Sequence, residues 1–504
     1  MTTPARTRAR WWALTAVSLA TLMTYLDNNV INVAIPTIQR SLHLSVTGLE
    51  WIVSSYLLVL AGLLLVGGRV ADVYGRRRVF LTGLAIFTLS SLAAGLAGSG
   101  GMLIGARAVQ GLGAALLMPA TLAIITHAFT DARERTMAIG VWGAIGALGL
   151  AVGPVIGGLI SQHVHWGWIF LINVPLGAIT FAIAVPFIAE SRAQTDSRRL
   201  DIPGLVTSAL ALFALTYALI EGHDRGWTSV PIVAAFAVSA FAVAVFLAIE
   251  GRSEQPMVPL PMFRSREFSG GTATMMIWAF GIFGIYFFTS LYLQRTLGFS
   301  PTKAGLAFVP MAVCVAVAAT LAPRVAAVIG GYRAVSFGML LMVAGLVLFA
   351  RLGPGVGLGS LMPGFVLFGV GAGLMNVPLT NSLMEAAPAQ QAGMAGALIN
   401  ASREVAGLLG VTVIGAVLWS RQATALRGGA SPRDAFVDGY HTGLWVTIAL
   451  LGAGVVLSYV TLRPRRQGAG EVLTAHHARE TALVPEVVPA MAADASRPDG
   501  SRDR

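Results

Sequence analysis

The sequence is poor in charged residues and in cysteine, and both shortages limit what the chain can be. Charged residues make up 11% of its 504 residues and hydrophobic residues 56%, whereas soluble domains carry about 25% charged residues. So little polar surface excludes a soluble bundle of buried helices. The single cysteine, Cys314, excludes an internal disulfide. The sequence has no HExxH motif and no Cys/His cluster, so an enzyme role is unsupported.

Long apolar runs fill most of the chain. Runs of about 18 to 25 residues are long enough to cross a hydrocarbon layer of about 30 Å as helices, and lipid offers no partners to an open backbone. We therefore predict fourteen transmembrane helices and no cleaved signal peptide. They lie at residues 12–35, 48–67, 79–97, 102–127, 136–160, 167–189, 203–220, 230–249, 270–293, 304–328, 333–352, 358–381, 394–419 and 440–462.

Lysine is almost missing too, since Lys303 stands against 33 arginines. The arginines cluster in short loops between apolar runs, a pattern that sets membrane orientation and is not typical of a nucleic-acid-binding surface. Segments on the same side as the N-terminus hold twenty basic residues before the C-terminal tail, and the opposite loops hold eight. Both termini are therefore predicted to be cytoplasmic.

Two similar segments indicate an internal repeat. "RVADVYGRRR" (69–78) and "RVAAVIGGYR" (324–333) align without gaps, each between a pair of apolar runs. Parallel halves around a central pathway are typical of transporters. The predicted organisation is a cytoplasmic N-terminus (1–11), an N-terminal six-helix bundle (12–189), an inserted helix pair (203–249), a C-terminal six-helix bundle (270–462) and a disordered cytoplasmic tail (463–504).

The stretch "TYLDNNVINVAIP" (24–36) places an acid and three asparagines inside the first apolar run. On a helix, Asn28, Asn29 and Asn32 share one face and Asp27 points nearly opposite. An ionisable group at membrane depth is costly and is a candidate functional site, and a carboxyl group among apolar atoms is readily protonated near neutral pH. Asp27 is therefore predicted to bind a proton or a cation. The alternative is an acid near the water boundary, or one that only holds helices together.

Two further charges lie at membrane depth. Arg107 is about 9 Å and Asp27 about 13 Å from the same side by residue count, so the two can interact directly or through water. An arginine keeps its proton and would bias the proton affinity of the carboxylate; an arginine snorkelling to the interface is the alternative. Glu404, about 15 Å into the thirteenth run, is a second candidate proton site, and Arg403 would anchor it although it points about 100° away on the helix.

Polar residues within or near the apolar runs are candidates to line a substrate cavity. This set comprises Asn28, Asn29, Asn32, Gln110, Asn376 and Asn400.

Glycines recur every four residues in "GALGLAVGPVIGG" (146–158). Small residues at this spacing let two helices approach closely, and proline permits a bend. Ordinary helix packing is the alternative. The motif residues are Gly149, Gly153, Pro154, Gly157 and Gly158.

The segment "GGRVADVYGRRR" (67–78) is predicted to be a short cytoplasmic loop. Asp72 stands where the next helix can begin, Gly75 permits a tight turn, and the arginines can pair with acids or with helix C-termini. We predict a conformational gate, with topology signalling alone as the alternative. Its residues are Gly68, Asp72, Gly75, Arg76 and Arg77.

Four of these stretches resemble, in order, the signatures of the major facilitator superfamily, in its fourteen-span drug:proton antiporter branch of the EmrB/QacA type. They are "LDNNVINVAIPTI" (26–38), "GRVADVYGRRRV" (68–79), "RAVQGLGAALLMP" (107–119) and "GLAVGPVIGG" (149–158), and "WGWIFLINVPLG" (166–177) also fits. The resemblance implies an all-α membrane protein with two six-helix bundles and two inserted helices. It also implies proton-coupled efflux of drugs or antibiotics by alternating access.

The resemblance assigns roles to particular residues. Asp27 matches the protonatable acid, Arg107 the arginine linked to it, and Gly153 and Pro154 the bend of an antiporter helix. The sequence departs from the pattern after Asp27, where two asparagines follow instead of a small residue or threonine.

The implied energy source is a proton gradient, since no Walker motif or cofactor signature is found. The expected partners are a small amphipathic, cationic or antibiotic substrate, protons and the lipid bilayer, without nucleic acid, for a monomer in the bacterial plasma membrane. Three alternatives stay open: an exporter of one self-made antibiotic or metabolite, an uptake facilitator, and a membrane sensor that transports nothing.

Overall fold

The computed structural model describes residues 3–192, 201–253, 256–353, 356–388 and 391–463. Within these ranges the chain is helical and has no β-strand. The predicted disordered tail, apart from Arg463, lies outside the described residues.

Sixteen α-helices follow one another in the described ranges. They are α1 (Thr3–Leu42), α2 (Val46–Tyr74), α3 (Arg76–Gly95), α4 (Gly100–Ala128), α5 (Ala132–His163), α6 (Trp168–Leu171), α7 (Asn173–Phe187), α8 (Ile202–Arg225), α9 (Val230–Glu250), α10 (Arg266–Leu291), α11 (Pro301–Ala307), α12 (Val309–Ile329), α13 (Gly331–Ala350), α14 (Leu358–Ala386), α15 (Ala392–Arg427) and α16 (Pro432–Thr461). A 3-10 turn (Leu260–Arg264) precedes α10, and a π-helical turn (Tyr292–Thr296) continues it.

Thirteen helical stretches in the described ranges are long and apolar enough to cross a membrane. Three of them join neighbouring elements: α6 with α7, α10 with its π-helical turn, and α11 with α12. The 40-residue helix α1, whose acid and asparagines make it less apolar, brings the number of membrane-length helices to fourteen. The predicted all-α membrane fold is therefore confirmed.

The first predicted helix, at 12–35, lies within the longer helix α1 (Thr3–Leu42), and the cytoplasmic location of residues 1–11 stays a prediction. One predicted loop is wrong. The predicted loop at 67–78 is mostly helix, because α2 continues to Tyr74 and α3 begins at Arg76. Asp72 consequently lies in the last turn of α2 and does not begin the next helix.

The two repeated segments have the same local structure. Gly75 links α2 to α3 with φ 114°, and Gly330, its counterpart in the alignment, links α12 to α13 with φ 91°. Both are positive φ values that glycine adopts without steric cost. Helices α2 and α3 pack against α4, just as α12 and α13 pack against α14. The repeat therefore extends from sequence to helix packing.

We call α1 to α7 the first half and α10 to α16 the second half. They meet where α2 packs against α15, where α5 packs against α11 and α12, and where α1 packs against α10. The inserted helices α8 and α9 pack on each other, and α8 also contacts α2 and α15.

Hydrogen bonds join the halves at the end of the bundle where α1 finishes and α2 begins. Gln294 Nε2 donates to the Val33 carbonyl oxygen at 2.9 Å, and the Thr302 backbone N–H donates to Gln162 Oε1 at 3.1 Å. We call this end of the bundle the closed end.

Candidate functional site

The Asp27 side chain is fully buried and accepts three hydrogen bonds. Its Oδ2 accepts from Arg107 Nη1 at 2.5 Å. Its Oδ1 accepts from Gln110 Nε2 at 2.8 Å and from Asn173 Nδ2 at 3.0 Å. The contact between Asp27 and Arg107 that was inferred from matched depth is thus present, and α1, α4 and α7 all contribute to it.

Arg107 is also fully buried, which rules out the snorkelling alternative in this structure. Its Nη1 donates to Gln110 Oε1 at 2.7 Å, and its Nε donates to the Ile52 carbonyl oxygen at 3.3 Å. The guanidinium carbon lies 4.2 Å from the centre of the Tyr56 ring, a cation–π contact. Residues of both α4 and α2 therefore contact the Arg107 guanidinium.

The local sequence explains how α4 and α2 come so close. Arg107 and Gln110 are three residues apart and so lie on one helix face. Gly111 follows them, and a Cβ there would fall 2.5 Å from the Tyr56 carbonyl oxygen. Ser91 on α3 completes the cluster by accepting from Gln110 Nε2 at 2.7 Å.

Three hydrogen-bond donors surround the Asp27 carboxylate. In the observed geometry three donors point at the carboxylate, which fits its ionised form. Protonating Asp27 would leave Arg107 as a buried charge without its partner, which is strongly unfavourable.

A second charged cluster lies on another side of α1. Glu404 is 4% exposed, and its Oε1 accepts from Arg403 Nη2 at 2.9 Å. Arg403 Nη2 also donates to the Tyr25 hydroxyl at 3.3 Å, which joins α15 of the second half to α1 of the first. The expected separation of about 100° between neighbouring helix positions did not prevent the ion pair, because both side chains are long and bend towards each other.

The asparagines of α1 differ in exposure. Asn29 and Asn32 are buried and donate to carbonyl oxygens of their own helix, Tyr25 at 2.7 Å and Asn28 at 3.4 Å. Asn28 is partly exposed. Asn28 is therefore the α1 asparagine that is most accessible to a substrate.

The other cavity candidates lie in different surroundings. Gln110 is fully buried in the Asp27 cluster, so in this structure it does not line a solvent-filled space. Asn376 is partly exposed, and Asn400 is exposed and donates to the Gly396 carbonyl oxygen at 3.0 Å. A cavity role for Asn376 and Asn400 stays a prediction.

The glycine motif of α5 brings two helices into close contact. A Cβ on Gly153 would lie 2.7 Å from the Cβ of Asn29, and one on Gly149 would lie 3.1 Å from the Leu22 carbonyl oxygen. A Cβ on Gly157 would likewise lie too close to the Val30 carbonyl oxygen. The predicted close packing is thus formed by α5 against α1.

Two members of the motif point to the other half. A Cβ on Gly158 would lie 2.5 Å from the Pro301 carbonyl oxygen, and Gly305 packs onto the Pro154 carbonyl oxygen. Helix α5 continues through Pro154 to His163. A functional bend at Pro154 stays a prediction.

The predicted gate segment is fastened to its own half. Arg76 Nη2 lies 3.0 Å from Asp72 Oδ1, and the Arg76 backbone N–H donates to the Ser191 carbonyl oxygen at 2.9 Å. The Glu190 carboxylate accepts from the Arg77 backbone N–H at 3.1 Å. These contacts tie α2 and α3 to the chain after α7.

Of the two glycines in this segment, Gly75 permits a close approach. A Cβ on Gly75 would collide with the Glu190 carboxylate at 2.6 Å, whereas one on Gly68 would lie 3.5 Å from the Pro119 Cβ, an ordinary contact. A gate that acts between the two halves stays a prediction.

Comparison with known proteins gives a family that fits this geometry. The Major Facilitator Superfamily matches residues 17–411. The chain belongs to this superfamily.

Relatives within the superfamily include named resistance proteins. The puromycin resistance protein pur8 of Streptomyces alboniger is 35% identical over 92% of this chain and 93% of its own length. The multidrug resistance protein Stp of Mycobacterium tuberculosis (strain CDC 1551 / Oshkosh) is 36% identical over 82% of this chain and 76% of its own length. The tetracenomycin C resistance and export protein of Streptomyces glaucescens is also 36% identical, with the same coverage of each chain.

Solved structures show that the superfamily fold extends over the chain. A bacterial homolog of the human lysosomal transporter Spinster has a TM-score of 0.65 and 17% identity, covering 92% of this chain and 98% of its own. The peptide transporter POT in complex with sulfate has a TM-score of 0.64 and 16% identity, with 90% and 94% covered.

Several residues of this site were not singled out from the sequence. Asn173 donates to Asp27, Tyr56 stacks on Arg107, and Ser91 and Glu190 accept hydrogen bonds. Only Asn173 gave a signal, as an amide within an apolar run. Serine and tyrosine are common in membrane helices, so Ser91 and Tyr56 did not stand out. Only the packing shows what they contact.

Proposed function

We propose that this protein exports amphipathic drugs or antibiotics across the bacterial plasma membrane in exchange for protons, by alternating access. The observation that carries the proposal is the fully buried ion pair of Asp27 and Arg107, 2.5 Å apart inside a multi-pass carrier. The names of three relatives, which are resistance or export proteins, support the direction of transport. The energy source in this proposal is the proton gradient.

The proton cycle follows from the buried pair. A ligand shifts a two-state protein only by binding one state better than the other. Ionised Asp27 suits the observed packing of α1 against α4, because Arg107 compensates its charge. Protonated Asp27 releases Arg107 and favours the alternative packing. Downhill proton entry then supplies free energy for drug exit.

The cluster around Glu404 is the proposed place for a cationic substrate. Its carboxylate is held by Arg403, and Arg403 reaches Tyr25 on the other half. A bound cation would compete with Arg403 for the carboxylate and would change this contact between halves. Glu404 is in addition the second candidate for proton binding.

The two ends of the bundle are assigned to opposite sides of the membrane. We assign the closed end to the outside of the cell, because the arginine-rich connections lie at the opposite end. Asp72, Gly75 and Arg76 then belong to the cytoplasmic side, where they would form the gate when that side closes. Both termini are cytoplasmic in this assignment.

Transport into liposomes tests the proposal. The purified protein is reconstituted, a pH difference is imposed, and movement of a fluorescent cationic dye is followed for the unsubstituted protein and for Asp27→Asn. The matched control is Asp438→Asn, because the Asp438 carboxylate pairs with Arg421 at the surface, with both side chains well exposed. Gradient-driven movement that is lost in Asp27→Asn and kept in Asp438→Asn supports coupling through Asp27.

Other outcomes point elsewhere. Gradient-driven movement that persists in Asp27→Asn rejects Asp27 as the proton site. The same assay is then made with Glu404→Gln. Uptake that runs in the opposite direction supports the facilitator alternative. A substrate-independent response without any flux supports the sensor.

A narrower function is favoured by the relatives' names. The puromycin and tetracenomycin C resistance proteins are each named for one antibiotic. The second candidate function is therefore export of one antibiotic or metabolite that the host makes itself. Competition between the dye and a panel of antibiotics separates the two, since a dedicated exporter is inhibited by one chemical class alone.

A further inference from the structure

A second buried acid lies outside the cluster around Asp27. Glu50 is in the second turn of α2 at the closed end, and it is 2% exposed. Its Oε1 accepts a hydrogen bond of 2.5 Å from the indole Nε1–H of Trp419, on α15 of the second half. The carboxyl group therefore forms part of the contact between the halves.

The second half is shaped to receive this carboxyl group. A Cβ at Gly415 would fall onto Glu50 Oε1, so the carboxyl group occupies the space that this glycine leaves on α15. Trp419 is fixed by rings from its own half, with centroids at 6.2 Å for Phe288 and 5.9 Å for Phe436. Glu50 thus lies in a niche formed by residues of the second half.

The acids near Glu50 come from the inserted helix α8. Asp224 accepts from the hydroxyl of Thr47, which lies three residues before Glu50. Glu221 accepts from the Trp51 indole at 3.0 Å. Both would repel a negative charge on Glu50.

The cations near this end are engaged with other groups. Within the part of the chain that the structure describes, no salt bridge involves Glu50. Three arginines on the surrounding elements form salt bridges: Arg421 with Asp438 at 2.8 Å, Arg225 with Glu221 at 2.9 Å and Arg107 with Asp27 at 2.5 Å. Arg40 donates a hydrogen bond to the Pro36 carbonyl oxygen at 3.3 Å. Arg295 donates to Gln39, and its guanidinium carbon lies 6.0 Å from the centre of the Trp419 ring.

Burying an ionised carboxylate without a cation costs far more free energy than burying a neutral carboxylic acid. A protonated Glu50 still accepts the Trp419 hydrogen bond through its carbonyl oxygen. When the halves separate at this end, water reaches the group and can solvate its ionised form. Closure and proton uptake are then linked.

We propose that Glu50 is a second proton-binding site, occupied when the two halves close around it and emptied when they separate. This rests on the alternating access of the proposed function. A proton that arrives at the closed end would favour closure there, which is the return step of an exporter that has just released its drug on that side. By reciprocity, closure raises proton affinity by the same factor.

Spin-label distances across the closed end test this proposal without transport. Cys314 is replaced by serine, and labels are placed at His163→Cys on α5 and Arg427→Cys on α15, both exposed. The distance distribution is measured in lipid nanodiscs, in acidic and in alkaline buffer, with no substrate and no gradient. Each measurement is repeated with Asp27→Asn, so that a response through Asp27 is separated.

The expected result distinguishes a proton site from a structural acceptor. In the Asp27→Asn background, where Asp27 no longer titrates, the ratio of separated to closed molecules rises about tenfold or more on going to alkaline buffer, which corresponds to a tenfold difference in proton affinity between the two states. Glu50→Gln, which is neutral and still accepts from Trp419, stays closed in both buffers. Glu50→Asp keeps a titratable group and keeps the response, with a shifted midpoint.

Three results overturn the proposal. They are an Asp27→Asn protein whose distance does not respond to pH, an added Glu50→Gln substitution that leaves this response unchanged, and a Glu50→Gln variant that is separated in both buffers. If Glu50→Gln fails to fold, an unshifted midpoint in Glu50→Asp has the same meaning. Dye transport is measured in a separate assay, so loss of the Asp27 assignment leaves this test valid.

Discussion

Arg107 Nη1 lies 2.5 Å from Asp27 Oδ2, and neither side chain is exposed. The pair joins the first and fourth helices of one half at membrane depth. A buried ion pair contributes little net stability, yet removal of one partner is costly. This asymmetry makes the pair suitable for a switch that is set by one proton.

Removal of Arg107 alone is therefore expected to destabilise the protein. Arg107→Ala leaves Asp27 buried without compensation, a loss of about 3 to 5 kcal/mol. The double variant Asp27→Asn/Arg107→Gln removes both charges and should recover most of that loss. Thermal unfolding in detergent measures both, and equal instability of the single and double variants contradicts the ion-pair account.

The glycine contact between α5 and α1 gives a second prediction. Gly157→Ala forces a Cβ onto the Val30 carbonyl oxygen and is expected to cost about 1 to 3 kcal/mol, typical of overpacking. It should also slow transport, since α5 contacts the other half as well. Gly143→Ala on the same helix meets open space and is the control. Equal effects of the two variants would show that helix propensity alone matters.

The two one-residue links give a third prediction. Alanine at Gly75 or at Gly330 must adopt a positive φ, a strain of about 1 to 2 kcal/mol. Only Gly75→Ala also meets the Glu190 carboxylate at 2.6 Å, whereas Gly330 has its nearest neighbouring atom at 3.6 Å. We expect a lower melting temperature for Gly75→Ala than for Gly330→Ala. The reverse order would mean that Glu190 moves aside freely.

Glu404 gives a fourth prediction, which separates substrate binding from proton coupling. Glu404→Gln removes the carboxylate that Arg403 holds, and the KM for a cationic dye should rise about tenfold, equivalent to about 1.4 kcal/mol. The dependence of the maximal rate on the pH difference should remain, since Asp27 is intact. The KM for an uncharged antibiotic is the control and should change little. A lost pH dependence would make Glu404 the main proton site.

The sequence was informative where residues could be placed by counting along a helix. Matched depth showed that Asp27 and Arg107 can interact, and glycine spacing was enough to predict a close helix contact. Asn173 could not be assigned, because depth does not tell which helix lies beside α1. Glu50 gave no signal, because an acid near the end of an apolar run is usually solvated, and only the packing of α15 buries it.

The boundaries of α2 and α3 were missed for a different reason. Charged residues at 69–78 suggested a loop, but charge does not stop a helix that extends beyond the lipid. Only Gly75 interrupts the backbone, at φ 114°.

A connection of one residue has no length to spare, and this restricts how each half can move. Helices α2 and α3 are joined by Gly75 alone, and α12 and α13 by Gly330 alone. Neither pair can slide along its neighbour without breaking the turn. The linked ends of the two helices in each hairpin must therefore stay together, so that a displacement of the end of α2 also displaces the start of α3.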